Sequence, residues 1–298
     1  MLALQLTDVK KSFGKVHAVK GLSLSVEPGT IYGLLGPNGA GKTTTIRMIM
    51  QIIIQDAGEI LLYGQPNNQK MLDQVGYLPE ERGLYRKMKI EDVLQFFGEL
   101  KGMSPGEAKK RSQTWLERFS MTEYIGKKAE ELSKGNQQKI QFIATVLHEP
   151  KLVILDEPFS GLDPVNMELL KNTILEMRDA GCCVIFSTHL MDHAEKLCNA
   201  ICLINRGQSV LEGQLAQVKK GFGKRNVILE YDGENGFLDN LAYVEQVDAY
   251  GNYVEVRLSD MSKAQELAQH ALKHTQLRRF EIVEPSLNEI FIETVKKG

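Results

Sequence analysis

The eight residues GPNGAGKT, at positions 36–43, constrain the fold of this 298-residue chain more than any other feature. They match the pattern G-x-x-x-x-G-K-[ST] and lie between a strand-like run, IYGLLG, and a helix-like run that starts at Lys42. Glycines at these positions let backbone N–H groups converge on a phosphate, and the following helix adds the positive end of its dipole. We therefore interpret the segment as a nucleotide phosphate loop between a strand and a helix, in preference to an ordinary glycine-rich turn.

The phosphate loop assigns roles to individual side chains. Lys42 brings a mobile ammonium group to the β- and γ-phosphates, where it binds the nucleotide and assists catalysis. The hydroxyl of Thr43 is a candidate ligand for Mg²⁺, because this cation prefers oxygen donors. The residues that we expect to bind the nucleotide here are Gly36, Pro37, Asn38, Gly39, Ala40, Gly41, Lys42, Thr43 and Thr44.

Two adjacent carboxylates follow an apolar run farther along the chain. Residues 152–155, LVIL, predict a buried strand, so Asp156 and Glu157 emerge at its carboxyl end, where parallel α/β sheets bind ligands. We expect Asp156 to hold Mg²⁺ through water and Glu157 to act as a general base or to orient the attacking water. Such a pair taken alone is more often a solvated strand end. Together with the phosphate loop, it predicts the second half of a nucleotide-hydrolysis site.

The order of strand-like and helix-like runs predicts two domains. The runs alternate through residues 1–218, which is typical of an α/β domain with a mainly parallel sheet. Between about 88 and 148 the pattern is helical without strands, which predicts an inserted helical subdomain. After a Gly- and Lys-rich linker the pattern restarts, and residues 225–298 predict a small α+β domain of the ferredoxin-like kind.

Charge and hydropathy argue against several classes of protein. The formal net charge of −2 provides no overall field for binding nucleic acid. The longest apolar runs are far shorter than the roughly 20 residues of a membrane-spanning helix, and the first residues lack the pattern of a secretory signal. We therefore expect a soluble, cytoplasmic protein. The four cysteines between 182 and 202 are interpreted as buried, reduced thiols rather than as a metal site.

Five motifs follow one another in the first two thirds of the chain. They are the phosphate loop, LSKGNQQ at 132–138, LVILDEP at 152–158, SGLD at 160–163 and STH at 187–189. This ordered set resembles the ATP-binding cassette (ABC) family, and the resemblance covers about residues 1–215. It implies a P-loop ATPase fold that binds ATP and Mg²⁺.

The segment LSKGN occupies the place of the family signature, LSGGQ. In the family, the signature of one subunit closes on the ATP held by the other, so that two ATP molecules are buried in a head-to-tail dimer. The resemblance therefore implies that Ser133 and Gly135 contact the ATP of a partner, and a helix N-terminus suits that role because it attracts anions. Ser133 also fits a plain N-cap of a surface helix.

Three further positions carry over from the family one by one. Phe13 matches the aromatic residue that stacks on adenine, and a core phenylalanine is the alternative. His189 matches the switch histidine that contacts the γ-phosphate and is counted as catalytic, the alternative being a structural hydrogen bonder. Asp163 matches the loop that passes between subunits and helps to shape the opposite site.

The sequence departs from the family pattern in two motifs. The usual glutamine after VGYLP is Glu80, which we expect to ligate Mg²⁺ and to act in catalysis by sensing the γ-phosphate, while adding negative charge near three phosphates. In the signature, Lys134 replaces a glycine and Asn136 replaces a glutamine. We interpret Lys134 as solvent-exposed, because only the backbone is needed there; an added cation for the partner's phosphates is the alternative.

Three segments resemble one bacterial branch of the family in particular. YLPEERGLY, LSKGNQQK and EPSLNEIFIETV are similar to segments of sodium-efflux and drug-exporter ATPases, which carry an extra C-terminal domain. The resemblance implies an ATP-hydrolysing exporter subunit that forms a homodimer, or a heterodimer with a similar cassette, on binding ATP. It also implies integral membrane permease subunits, no nucleic acid partner, and a peripheral position on the inner face of the cell membrane.

Two other functions are compatible with parts of the sequence. A soluble cassette ATPase that acts on nucleic acid or ribosomes tends to carry two cassettes or a long coiled coil, whereas this chain has one phosphate loop and no sustained heptads. A nucleotide switch without hydrolysis is disfavoured because both Lys42 and Glu157 are present.

Overall fold

The structure is a computed structural model, and it describes residues 1–81, 83–223, 226–233 and 235–297. Within this described part, the chain divides into two units, Met1–Gln214 and Leu215–Gly298. Residues 225 and 298, which bound the predicted C-terminal domain, lie outside the described residues.

The first unit alternates strands and helices along the chain. Its elements are β1 (Leu4–Phe13), β2 (Val16–Val26), β3 (Ile31–Leu35), α1 (Lys42–Ile49), β4 (Ala57–Leu62), β5 (Gln65–Pro66), α2 (Gln69–Leu72), β6 (Val75–Leu78), α3 (Ile90–Leu100), α4 (Pro105–Arg118), α5 (Lys134–Val146), β7 (Leu152–Asp156), α6 (Pro164–Asp179), β8 (Cys183–Thr188), α7 (Met191–Leu197), β9 (Ala200–Asn205) and β10 (Gln208–Gln214).

A mainly parallel sheet organises this unit, in the strand order β10-β9-β3-β8-β7-β6. Strands β9, β3, β8, β7 and β6 run parallel, and β10 forms an antiparallel edge. Every residue of β3 and β7 is buried, which is why both strands are apolar runs without alternation. A second, antiparallel sheet, β2-β1-β4-β5, contributes to the same apolar core. The loops that follow β3, β6, β7 and β8 therefore leave the parallel sheet at one edge.

A helical segment interrupts the alternation. Residues 90–147, all of them described, form helices, 3₁₀ turns and connecting segments and contain no strand. Helices α4 and α5 share an aromatic cluster of Trp115, Phe119 and Phe142, whose ring centroids lie 5.7–6.3 Å apart. The predicted α/β fold with a helical insertion is confirmed.

The second unit is a small α+β domain. Its elements are α8 (Leu215–Phe222), β11 (Asn226–Asp232), β12 (Val244–Tyr250), β13 (Tyr253–Leu258), α9 (Ala264–His274), β14 (Gln276–Val283) and α10 (Leu287–Lys297). The sheet is antiparallel with the order β12-β13-β11-β14. This is the strand order of a ferredoxin-like fold, with a 3₁₀ turn, Asn235–Leu238, in place of the first helix.

The two faces of this second sheet differ in character. One face packs apolar residues such as Val227 and Val256 against Leu267 of α9. On the other face, Arg257 of β13 pairs with Glu293 of α10 at 2.5 Å, and the Asn226 side chain donates a hydrogen bond to Glu289 of the same helix at 2.6 Å. Helix α10 begins with the predicted capping box, in which Ser286 and Glu289 exchange hydrogen bonds at 2.8 and 3.2 Å.

Two observations bear on the other expectations from composition. Among the described residues, no helix combines the length and the apolar content that are needed to cross a bilayer. Cys183, Cys198 and Cys202 are buried thiols and Cys182 is half-buried. Burial raises the pKa of the Cys183 thiol to about 11, so that thiol is un-ionised at neutral pH.

Candidate nucleotide-hydrolysis site

A cavity of about 490 Å³ lies over the phosphate loop at the carboxyl edge of the parallel sheet. It brings together side chains from the phosphate loop, from the loop after β6 and from the end of β7. Of the predicted site residues, its lining includes Asn38, Gly39, Gly41, Lys42, Thr43, Thr44, Glu80 and Glu157.

The phosphate loop has a backbone that only glycine can adopt at two positions. Gly36 has φ 150°, and a Cβ built there would lie 2.1 Å from the carbonyl oxygen of Ile204. Gly41 has φ 110°, and its Cβ would lie 2.6 Å from the carbonyl oxygen of Ala18. Side chains at either position would displace backbone of the neighbouring strands, so the glycines fix where the loop runs.

Lys42 begins α1 and points back across the loop. Its ammonium group donates hydrogen bonds to the carbonyl oxygens of Gly36 at 2.8 Å and Pro37 at 3.1 Å. Only 6% of the residue is exposed. Burial lowers the pKa of Lys42, while the nearby carboxylates of Glu157, Asp156 and Glu80 act in the opposite direction. The lysine is thus a cation held among three anions.

Asp156 ends β7 and is almost completely buried, with 1% of its surface exposed. One carboxylate oxygen, Oδ1, accepts a hydrogen bond from the Ser187 hydroxyl on β8, and Oδ2 has no hydrogen-bond partner within the described part of the chain. Burial raises the pKa of Asp156, and the nearby hydroxyl groups of Ser187 and Thr43 partly oppose the rise. A buried carboxylate oxygen without a partner, beside a threonine hydroxyl, is a donor set that suits a hard cation such as Mg²⁺.

Glu157 follows in the left-handed region, with φ 48°. Its carboxylate accepts three hydrogen bonds: from the Thr188 hydroxyl at 3.1 Å, from the His189 backbone N–H at 3.1 Å, and from His189 Nδ1 at 2.7 Å. Because an ionised carboxylate can only accept, Nδ1 carries the proton in this bond. The strained backbone and the three bonds fix the Glu157 carboxylate at the cavity wall.

Other predicted residues lie outside the lining of this cavity, as far as the chain is described. Ser133 caps α5, where its hydroxyl oxygen accepts the Asn136 N–H at 3.3 Å, and Lys134 is exposed. A Cβ built at Gly135 would lie 3.1 Å from the carbonyl oxygen of Gly161, so the signature packs against the loop after β7. The structure therefore does not bring residues 133–135 to the cavity over the phosphate loop of their own chain.

Phe13 and Asp163 also lie outside the lining of the cavity. Phe13 is half exposed at the end of β1, with the Lys11 ammonium 5.6 Å from its ring centroid. Its partner in the β1–β2 ladder, Val16, does line the cavity. Asp163 caps α6 by accepting the N–H groups of residues 165 and 166 at 3.0 Å each. The predicted stacking role of Phe13 stays a prediction.

Sequence reasoning missed four residues that the structure brings to the site. Ser187 and Thr188 precede His189 in the motif STH, but only the histidine was singled out. Lys20 and Arg206 line the cavity and add two cations to its wall. Ser187 and Thr188 reach the site through the pairing of β7 with β8, which sets Asp156 opposite Ser187 and which no local sequence signal reveals. No local signal marks Lys20 or Arg206.

Two family descriptions match the chain. The description "ABC transporter" matches residues 19–160. The description "ATP-binding protein DrrA1-3-like, C-terminal domain" matches residues 213–295.

The ABC transporter ATP-binding protein YhaQ of Bacillus subtilis is 47% identical over 292 residues, which cover 98% of each chain. The present chain belongs to the ABC transporter ATP-binding family. The family is one of ATPases, so ATP binding and hydrolysis are the activity of this ABC protein.

Two further comparisons support this assignment. The linearmycin resistance ATP-binding protein LnrL of Bacillus subtilis is 33% identical and covers 97% of both chains, including the C-terminal unit of the ABC protein. A solved structure of the ATP-binding subunit of an ABC transporter superimposes with a TM-score of 0.70 at 29% identity. It covers 75% of this chain and 94% of the other.

Proposed function

We propose that the protein is the ATP-hydrolysing subunit of a membrane exporter, and that Glu157 performs the decisive step at its ATP site. The observation that carries the proposal is the fixed Glu157 carboxylate, which Thr188 and His189 hold at the wall of the cavity that Lys42 also lines. A resistance protein, LnrL, is similar over nearly the whole chain, and this supports export as the direction of transport.

Thr43, Asp156 and Glu80 would hold Mg²⁺ in this proposal. The unpartnered Oδ2 of Asp156 and the adjacent Thr43 hydroxyl support the assignment, because both are oxygen donors at the edge of the phosphate loop. When bound, Mg²⁺ neutralises charge that builds up on the β- and γ-phosphate oxygens. Glu80 adds a carboxylate from the loop after β6.

Hydrolysis then follows from the chain's own side chains. Lys42 binds the β- and γ-phosphates of ATP, and Glu157 orients a water molecule and takes its proton as the water oxygen attacks the γ-phosphorus. The bond between that phosphorus and the bridging oxygen breaks, ADP leaves with the bond electrons, and the proton passes from Glu157 to phosphate. His189 keeps Nδ1 protonated toward Glu157, which leaves Nε2 with a lone pair.

The signature completes the ATP site of a second copy in this proposal. Ser133 uses its hydroxyl oxygen as an acceptor for its cap bond, so its O–H remains a donor for a phosphate. The N-terminus of α5 adds the positive end of a 13-residue helix. A homodimer, or a heterodimer with a similar cassette, would thus bury two ATP molecules.

Aromatic residues near the loop after β6 support a contact with permease subunits. Tyr85 is 51% exposed and Phe96 is 40% exposed, and their rings meet edge to face with centroids 5.5 Å apart. Exposed aromatic side chains are characteristic of protein interfaces. We infer that membrane permeases bind here, which would hold the protein peripherally on the cytoplasmic face of the cell membrane.

Gel filtration with ATP and Mg²⁺ tests the proposal. Glu157→Gln should accumulate an ATP-bound dimer, because ATP binds but is not hydrolysed, whereas Lys42→Ala should elute as a monomer. Glu81→Gln is the matched control, since its side chain is 88% exposed on the neighbouring loop, and it should behave as wild type. An unchanged elution volume for all three would contradict the proposal. Co-sedimentation with ribosomes or RNA would instead favour a soluble cassette ATPase.

A further inference from the structure

Three polar side chains on one face of α5 donate hydrogen bonds to backbone carbonyls outside the helix. Gln138, Gln141 and Thr145 are spaced three and four residues apart, which places them on the same helix face. Their exposed fractions are 3%, 5% and 7%. Gln138 Nε2 donates to the carbonyl of Pro158 at 3.1 Å, and the Thr145 hydroxyl shares its one hydrogen between the carbonyl of Tyr77 at 3.3 Å and that of Gln141 at 2.9 Å.

The Gln141 amide bridges two carbonyls of the loop after β6. Its Nε2 donates to the carbonyl of Pro79 at 3.3 Å and to that of Glu81 at 3.2 Å. Those two residues flank Glu80 on either side. A primary amide carries two N–H donors, so one side chain can hold both carbonyls.

The acceptors of the two glutamines have one property in common. Pro158 directly follows Glu157, and Pro79 and Glu81 enclose Glu80. Each glutamine therefore holds backbone next to one of the two carboxylates that line the ATP cavity. Thr145 makes the same kind of bond from the same helix face, but its acceptor lies within β6.

Helix α5 also carries the signature at its first turn. Its N-cap is Ser133, and Gln141 lies about 12 Å farther along the axis at 1.5 Å per residue. A helix of this length moves as one body, so a displacement of its N-terminus displaces the glutamine side chains too. The signature and the backbone at both carboxylates are thereby joined through one helix.

We propose that Gln138 and Gln141 are positioning residues for ATP hydrolysis, which couple the signature helix to the backbone that carries Glu157 and Glu80. The inference rests on the proposed function, because it uses the roles given there to both carboxylates. When the signature meets the ATP of the second copy, α5 adjusts the carboxylates of its own ATP site. ATP binding at one site of the dimer then changes the position of the carboxylates at the other site through Gln138 and Gln141.

Methionine substitutions test the coupling, because methionine keeps the length of glutamine and removes its donors. Gln141→Met should lower kcat about three- to tenfold, because the two hydrogen bonds that it removes are neutral and act on the reaction only through the backbone. It should also raise the Mg²⁺ concentration for half-maximal activity. Gln138→Met should lower kcat to a similar extent with unchanged Mg²⁺ dependence, since it acts at Glu157. KM for ATP should stay unchanged in both, because neither side chain lines the ATP cavity.

Thr145→Val is the matched control. It removes a bond of the same kind from the same face of α5, but it leaves the backbone beside both carboxylates untouched, so kcat and Mg²⁺ dependence should equal those of wild type. A role confined to packing predicts instead that all three variants lose thermal stability alike and share one kinetic phenotype. That result would overturn the proposal.

Hydrogen–deuterium exchange adds a readout that does not depend on activity. Peptides that cover residues 75–84 should exchange faster in Gln141→Met than in wild type or Thr145→Val. Equal exchange in all three proteins would overturn the coupling even if the wild-type enzyme hydrolyses ATP normally. Absence of ATP hydrolysis by wild type, together with faster exchange in Gln141→Met, would contradict the proposed function and leave the backbone attachment established.

Discussion

The end of β7 and the loop after β6 each bring a glutamate to the same cavity, but they hold it in different ways. The Glu157 side chain is only 12% exposed, and Thr188 and His189 bind its carboxylate directly. Glu80 is exposed on a loop whose backbone is held by Gln141. The difference indicates that side-chain hydrogen bonds fix the proposed base, Glu157, whereas the proposed metal ligand, Glu80, is positioned through its backbone and keeps an exposed side chain.

The largest effect should come from removing the base itself. Glu157→Gln keeps the size of the side chain and removes its capacity to take a proton, so kcat should fall by about 10² to 10⁴. Phosphate release under saturating ATP and Mg²⁺ measures the change. Glu81→Gln serves as the control and should retain wild-type kcat; a comparable loss in both variants would mean that Glu157 has no special role.

The next effect should come from the hydroxyl that holds the base. Thr188→Val preserves shape and removes the 3.1 Å hydrogen bond to the Glu157 carboxylate. A hydrogen bond to a charged group contributes about 1.5–3 kcal/mol, so kcat should fall about tenfold or more. Thr188→Ser should restore most of the activity, because serine supplies the same hydroxyl. A Thr188→Val enzyme with wild-type kcat would show that the backbone of Glu157 alone suffices.

A third prediction concerns stability rather than rate. Burial raises the pKa of Asp156, so the ionised form is disfavoured in the folded state. The free energy of unfolding of wild type should therefore fall as pH rises from the ordinary pKa of a carboxyl group through the raised pKa of Asp156 in the folded state. The lost stability should not be regained at neutral pH. Asp156→Asn keeps the acceptor for Ser187 and removes the charge. Its Tm without nucleotide should be higher at pH 7 by a few degrees, since about 1 kcal/mol corresponds to about 2–4 °C.

The same variant should respond differently below the ordinary carboxyl pKa. There both proteins carry a neutral side chain, and their melting temperatures should converge. Adding ATP and Mg²⁺ should raise the Tm of wild type more than that of Asp156→Asn, because only the wild type keeps the full set of oxygen ligands. Thermal melts across a pH series would reject the idea if the asparagine variant were less stable than wild type at every pH.

The smallest effect should come from Glu80. Replacing it with glutamine keeps one oxygen ligand and removes one negative charge near the phosphates, so kcat should change by less than about threefold. The Mg²⁺ concentration for half-maximal activity should rise, because a neutral ligand binds the cation more weakly. Titration of activity with Mg²⁺ measures both values. A decrease in kcat as large as that of Glu157→Gln would show that the two glutamates do not differ in role.

The local parts of this site could be predicted from the sequence, and the long-range parts could not. The strand–loop–helix order around Lys42 and the apolar run before Asp156 are contiguous, so each predicts its own geometry. Ser187 and Thr188 reach the carboxylates through a parallel pairing between residues 31 positions apart. No adjacent residue signals that contact.

The C-terminal unit follows the same rule. Its pattern of strands and helices predicted a ferredoxin-like domain, and the strand order agrees. Among the described residues between β11 and β12, a 3₁₀ turn, Asn235–Leu238, stands in place of a full helix. Gln138 was part of the quoted motif LSKGNQQ and Gln141 follows that motif in α5, but their acceptors depend on how α5 packs on the sheet.

The left-handed backbone at Glu157 limits which substitutions of this residue give an inactive variant that retains its nucleotide. Unbranched side chains such as glutamine or alanine tolerate φ 48° at moderate cost, whereas valine, isoleucine and threonine are strongly disfavoured there. A β-branched residue at position 157 would therefore remove the carboxylate and also disturb the backbone that lies beside His189. A variant intended to retain its nucleotide for structural study should therefore carry an unbranched side chain at position 157.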